Sequence, residues 1–145
     1  MTATVKTSIL TILLFLVSIV GYTQSPVGKW KTVDDETGKV KSVVEIYEKG
    51  GKLYGKVIKL FRAPNLDQNP SCQNCTGDRK GAKILGLEII RGLKKDGTTW
   101  KDGTILDPEN GKVYDCKIWV EGGKLQLRGY IAFFYRTQTW LPYKD

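Results

Sequence analysis

Three cysteines and four neighbouring carboxylates are the residues of this chain with chemistry to offer. Cys72-Gln73-Asn74-Cys75 is a CxxC pair, and Cys116 stands alone further on. Such a pair can be a structural disulfide, a redox couple or half of a zinc site. A redox couple needs a thiolate stabilised at a helix N-terminus in a βαβ setting, whereas Asn69-Pro70 and Gly77 mark this stretch as loop. Zinc wants four ligands; with Cys116 as the third, the fourth would be a carboxylate such as Asp67 or Asp78, because the chain has no His. We take the disulfide Cys72–Cys75, a small ring whose work is local shape. Cys116 shares strand parity with Tyr114, Ile118 and Val120 and is expected inside as a small apolar side chain; pairing with Cys72 or Cys75 is the alternative. Asp102, Asp107, Glu109 and Asp115 crowd around one turn. A carboxylate pair could do glycosidase-type acid–base work, but Asp102, Asp107 and Glu109 sit where such groups meet water or local backbone N–H groups. Without His there is no Ser-His-Asp or Cys-His pair. No G-x-S-x-G, dinucleotide or phosphate-loop motif occurs. We assign no catalytic residue, metal or cofactor.

The elements that carry these residues read as strands. Trp100–Trp119 is the clearest: two β-branched and aromatic runs flank Asp107-Pro108-Glu109-Asn110-Gly111. Pro108 presets φ for a turn corner, and Asn110 and Gly111 tolerate φ > 0, so this is a hairpin. The same grammar gives strands at Val27–Val33, Val40–Glu48, Lys52–Leu60, Ala82–Leu93, Trp100–Asp107, Lys112–Val120, Lys124–Ala132 and Thr137–Tyr143. Gly55 inside the third implies a bulge or bend. Phe61–Gly81 is a long loop, pinned or functional. About eight short strands with no convincing helix predict an all-β fold, a barrel or a sandwich, and glycine inside several strands favours the barrel. Closure removes the exposed edges that a flat sheet must defend.

The chain has 145 residues. Lys6, the apolar stretch Ile9–Val20 and small residues around Thr23 make residues 1–23 a secretory signal. The apolar run falls short of the roughly 20 residues that cross a bilayer, and no Cys near the cut offers a lipid attachment point. Residues 24–145 form one domain, exported to the periplasm or beyond, with no stable membrane insertion after cleavage. There are 23 Lys and Arg against 15 Asp and Glu, a net charge of +8. The excess is scattered, which suits a solvated surface or attraction to anionic envelope surfaces. Nucleic acid would need a clustered basic stripe and is not expected.

Gly28-x-Trp30, Gly55, Asn69-Pro70, Gly86, Asp102-Gly103-x-Ile105-x-Asp107-Pro108-x-x-Gly111-Lys112-x-Tyr114, Arg128-Gly129-Tyr130 and Arg136-Thr137-Gln138-Thr139-Trp140 occur in this order. The order resembles DUF2147, a family of exported bacterial proteins, over nearly all of residues 24–145. The resemblance implies an all-β, antiparallel up-and-down β-barrel of about eight strands, lipocalin-like, and a compartment, not an activity. It also implies that Trp30 packs at the closed end with Arg128 or Arg136 as its cap, a cation–π arrangement.

Three functions follow in order. The first is a non-enzymatic carrier of a small hydrophobic or lipid-like envelope molecule. Val44, Ile46, Val57, Tyr114, Cys116, Ile118, Leu125 and Leu127 would face its interior. Tyr54, Trp100, Tyr114, Tyr130 and Phe133 would contact the ligand. The second is an envelope interaction protein with a filled barrel, using an exposed patch at Tyr130–Tyr135. The third is a thiol–disulfide protein working through Cys72 and Cys75.

Overall fold

The computed structural model describes residues 24–145; the expected signal segment, residues 1–23, lies outside the described residues. Eight strands follow one another: β1 Gly28–Val33, β2 Val40–Lys49, β3 Lys52–Leu60, β4 Glu88–Asp96, β5 Thr99–Leu106, β6 Val113–Glu121, β7 Lys124–Ile131 and β8 Phe134–Pro142. Each pairs antiparallel with the next, and β8 returns to β1, so the sheet is a closed up-and-down barrel. A single 3₁₀ turn, Gly77–Arg79, interrupts the β3–β4 connection.

Alternation builds the inside. Val44 and Ile46 on β2, Leu53 and Val57 on β3, Cys116 and Ile118 on β6, and Leu125 and Leu127 on β7 are all buried in one core. Successive strand residues point to opposite faces, so the period-2 pattern selected all of these positions except Leu53, which shares the parity of Val57. The interior position of Gly55 has a steric reason. A Cβ there would stand 3.1 Å from Ile90 Cδ1 and 3.2 Å from Val44 Cγ1, so glycine lets the side chains of β2 and β4 meet across β3. The register shifts on either side of Gly55, as a bulge requires.

Three boundaries differ from expectation by more than one residue, one of them the end of the fourth strand, Asp96 instead of Leu93. The fourth strand begins at Glu88, not Ala82, because Ile84–Leu87 forms a turn, the Leu87 N–H donating to the Ile84 carbonyl at 3.0 Å, with Gly86 at φ +88°, which glycine adopts without steric cost. The last strand begins at Phe134, not Thr137. The aromatic run Tyr130–Tyr135 is therefore split by the two-residue turn Ala132-Phe133, with Ile131 paired to Phe134.

The up-and-down path sorts the turns into two ends. The short turns at Gly50-Gly51, Gly97-Thr98 and Gly122-Gly123 share one end. There Trp30, Leu53, Leu93, Trp100 and Leu125 fill the lumen. The Trp30 indole Nε1–H donates to the Pro26 carbonyl at 2.8 Å. The longer connections, 34–39, 61–87 and 107–112, share the other end with the 132–133 turn.

Candidate functional site

Because of that division the barrel is packed at one end and hollow at the other. A cavity of about 730 Å³ opens between the longer connections. Its lining is mixed: apolar Val57, Ile89, Leu106 and Leu127 from the strands, Ile84 from the long loop and Trp140 at its floor stand beside polar Thr32, Ser42 and Gln138. Size and lining fall in the range of small-molecule sites.

The rim is charged and largely self-paired. Asp34 Oδ1 accepts the backbone N–H of Glu36 and of Thr37, each at 2.9 Å, and its carboxylate lies 3.1 Å from Lys41 Nζ. These contacts, the Thr37 N–H first, then Lys41 and Glu36, hold the Asp34 carboxyl down to about 2. Lys41 also pairs with Glu109. Arg136 Nη2 meets Asp35 Oδ2 at 2.7 Å, and Gln138 Nε2–H donates to the same oxygen at 3.3 Å. The Trp140 indole N–H donates to Gln138 Oε1 at 3.2 Å, linking the floor to the rim.

One wall is the long loop, and several contacts hold it. Cys72 and Cys75 form a disulfide and both are buried in the core. Asn74 Nδ2 donates to the Glu109 carbonyl at 3.0 Å. Gly111, at φ +72°, lies so close to the Asn74 carbonyl that any Cβ would collide with it. The turn that receives the loop is made rigid by its own side chains. Asp107 Oδ1 accepts the Glu109 N–H at 2.9 Å, and Asn110 Oδ1 accepts the Lys112 N–H at 2.8 Å. On the outer wall, Arg91 joins Asp78 of the loop to Glu88 of β4 at 2.7 and 2.6 Å.

The residues expected to touch a ligand separate. Tyr114 lines the cavity, its hydroxyl oxygen 3.3 Å from Asn110 Nδ2. Trp100 points inward but belongs to the packed end. Tyr54 is one residue out of phase with buried Leu53 and Gly55. It lies on the outer wall, where it stacks on Tyr47 at 6.1 Å. Tyr130 is also on the outside, opposite Tyr135, and Phe133 is at the hairpin tip, 99 % exposed.

The two arginines expected over Trp30 are placed elsewhere. Arg128 is on the outer face, 5.2 Å from the Trp119 ring and 4.3 Å from the Tyr135 ring. Arg136 is in the mouth, on Asp35. Trp30 pairs in register with Pro142, near the far end of β8, too many residues from Arg136 for contact. Sequence reasoning did not select Trp140, Leu106 or Lys41 for the site. Trp140 had a usable signal, since it alternates with Gln138 and Arg136 along one face.

Among the described residues, no group of three His, Cys, Asp or Glu side chains could hold a metal ion. The carboxylates near the hairpin do not converge as a pair. Asp107 serves the turn, Glu109 serves Lys41, and Asp102 is exposed on the wall. Cys116 is free and buried; burial, with a smaller contribution from Asp115, pushes its thiol up to about 12. Neither it nor the buried disulfide offers an accessible sulfur for exchange chemistry.

A family model described as an uncharacterized protein conserved in bacteria, DUF2147, matches residues 28–141. Among solved structures, the chain is similar to protein HP1028 from the human pathogen Helicobacter pylori, described as belonging to the lipocalin family. The two share 19% identity over 83% of this chain and 84% of the other, with a TM-score of 0.70. That likeness concerns the fold. A search of curated proteins finds no match.

Proposed function

The chain belongs to the DUF2147 family of bacterial proteins, and from that premise we propose that it is an exported, non-enzymatic carrier of a small amphipathic molecule. The observation that carries this reading is the half-filled lumen: a cavity of about 730 Å³ that includes both apolar wall side chains and a charged rim. A barrel serving only as scaffold gains nothing by leaving apolar walls unpacked, because unfilled apolar volume costs stability. An acyl chain or ring system would cover Val57, Leu106, Leu127 and Trp140. Its polar end would lie among Lys41, Asp35 and Arg136. Export is supported by the disulfide, since such bonds persist in oxidising compartments.

Trp140 makes the proposal measurable. Dodecanoate, dodecylammonium and a neutral dodecyl glycoside, titrated separately, should change tryptophan emission saturably at one-to-one stoichiometry for at least one head group, and Trp140→Phe should remove the change. Protein purified from its own host should carry an adduct in native mass spectrometry. No saturable response to any of the three, together with an empty protein from the host, would sink the carrier.

A further inference from the structure

Among the described residues, the most exposed apolar surface belongs to the β7–β8 hairpin, and it is ordered in layers. Phe133 and Phe134, with Ile131 beside them, form the tip; they are 99 %, 76 % and 48 % exposed. The next pair along the ladder is Tyr130–Tyr135, the rings 6.4 Å apart. Arg128 stands two residues behind Tyr130, about 7 Å at the rise of a strand, and its guanidinium is stacked on Tyr135 and Trp119. Lys117 lies opposite Arg128 on β6. Apolar tip, amphipathic aromatics, then cations is the order in which a lipid surface presents acyl chains, interface and head groups.

The charge pattern points to the kind of surface. From Gly122 to Lys144 the sequence contains Lys124, Arg128, Arg136 and Lys144 and not one Asp or Glu. The acids that reach this hairpin from neighbouring segments are Asp115 opposite Tyr130, Glu121 opposite Lys124 at the far end of β7, and Asp35 of the β1–β2 connection on Arg136. The hairpin's own charge is therefore wholly positive on a chain with an excess of cations, which attracts anionic lipid.

We propose that the β7–β8 hairpin docks the barrel onto an anionic lipid bilayer, inserting Ile131, Phe133 and Phe134 while Arg128 and Lys117 meet the head groups. Ile131 and Arg136 of the same hairpin also line the cavity, so docking brings the mouth to the lipid surface. The inference stands on the hairpin and not on an occupied cavity.

Flotation with vesicles of phosphatidylcholine, with and without phosphatidylglycerol, tests it. The protein should bind vesicles containing phosphatidylglycerol, and about tenfold more weakly to phosphatidylcholine alone. Phe133→Ser combined with Phe134→Ser should lose about tenfold in affinity, and Arg128→Gln should lose several-fold. The double variant should keep its thermal transition and its response to dodecyl ligands, which separates failure of docking from failure of the carrier reading. A nitrobenzoxadiazole label on Phe133→Cys should shift to the blue on anionic vesicles, whereas the same label on Lys124→Cys should not. Absence of flotation, equal binding by the double variant, or equal binding to neutral vesicles would overturn the proposal. So would a dimer in sedimentation that the double variant abolishes, because the tip would then contact a second copy of this chain.

Discussion

Asp35 and Arg136 form an ion pair at 2.7 Å across the seam between β1 and β8, where the strands pair only at Trp30–Pro142 and Lys31–Leu141 and the Tyr143 N–H adds a bond to the Lys29 carbonyl at the packed end. The mouth half of the seam is thus joined by side chains instead of a ladder. The same two residues sit in the rim of the cavity. Arg136 can serve either its neighbour or an incoming polar group.

On the proposed carrier reading, this pair would select the head group of the ligand. Asp35→Asn removes one negative charge and frees Arg136. It should raise affinity for dodecanoate relative to dodecylammonium by roughly fivefold, about 1 kcal/mol. Arg136→Gln should move the ratio in the opposite direction by a similar factor. Parallel fluorescence titrations with the two amphiphiles read the ratio directly; a ratio unmoved by both substitutions would place the polar end of the ligand elsewhere.

Gly111 should tolerate no side chain. Its φ of +72° strains any other residue, and the Asn74 carbonyl occupies the space of a Cβ. Gly111→Ala should therefore cost on the order of 2 kcal/mol and lift the CxxC loop from the hairpin. A thermal melt measures the first effect. Faster amide hydrogen exchange around Asn74, without faster exchange at the packed end, shows the second.

The disulfide is a brace, and its removal should be felt as stability. Closing so short a ring contributes about 2 kcal/mol in the chain-entropy view. Cys72→Ser with Cys75→Ser should lower the thermal midpoint accordingly and weaken ligand binding through the loosened wall. Both sulfurs are buried, so dithiothreitol should reduce the native bond only as fast as the loop opens. Rapid reduction in the folded state would contradict that burial.

Cys116 gives a pH signature. Its thiol, pushed up to about 12, keeps its proton in the folded protein, whereas the unfolded chain releases it near the ordinary thiol value of 9.0. Between those values the unfolded state binds fewer protons, so stability falls as pH rises. The limiting slope is about 1.4 kcal/mol per pH unit. Below the lower value the contribution is fully present. Comparing thermal midpoints of wild type and Cys116→Ala from pH 7 to 11 isolates this group from the lysines, because the variant should lose the extra alkaline slope. In the native state at pH 8 the thiol should resist iodoacetamide.

The sequence by itself determined the strands, their order and which side chains turn inward. Val44, Ile46, Cys116, Ile118 and Leu125 were legible as interior because alternation along a strand is local, and the turn at Asp107–Gly111 because its backbone angles are set by its own residues. The same alternation placed Tyr54 outside, out of phase with Val57, had it been applied to that residue. Only the tertiary structure decided where along the barrel the inside is filled. Trp100 and Tyr114 both face inward, yet one plugs the packed end and the other lines the cavity, since each lies at a different distance from the two rims. It alone also matched Arg136 with Asp35 and seated Asn74 on Gly111, pairs brought together by closure of the seam and by the path of a long loop. Such contacts join residues remote in the chain, and their partners follow from the assembled barrel rather than from any local pattern.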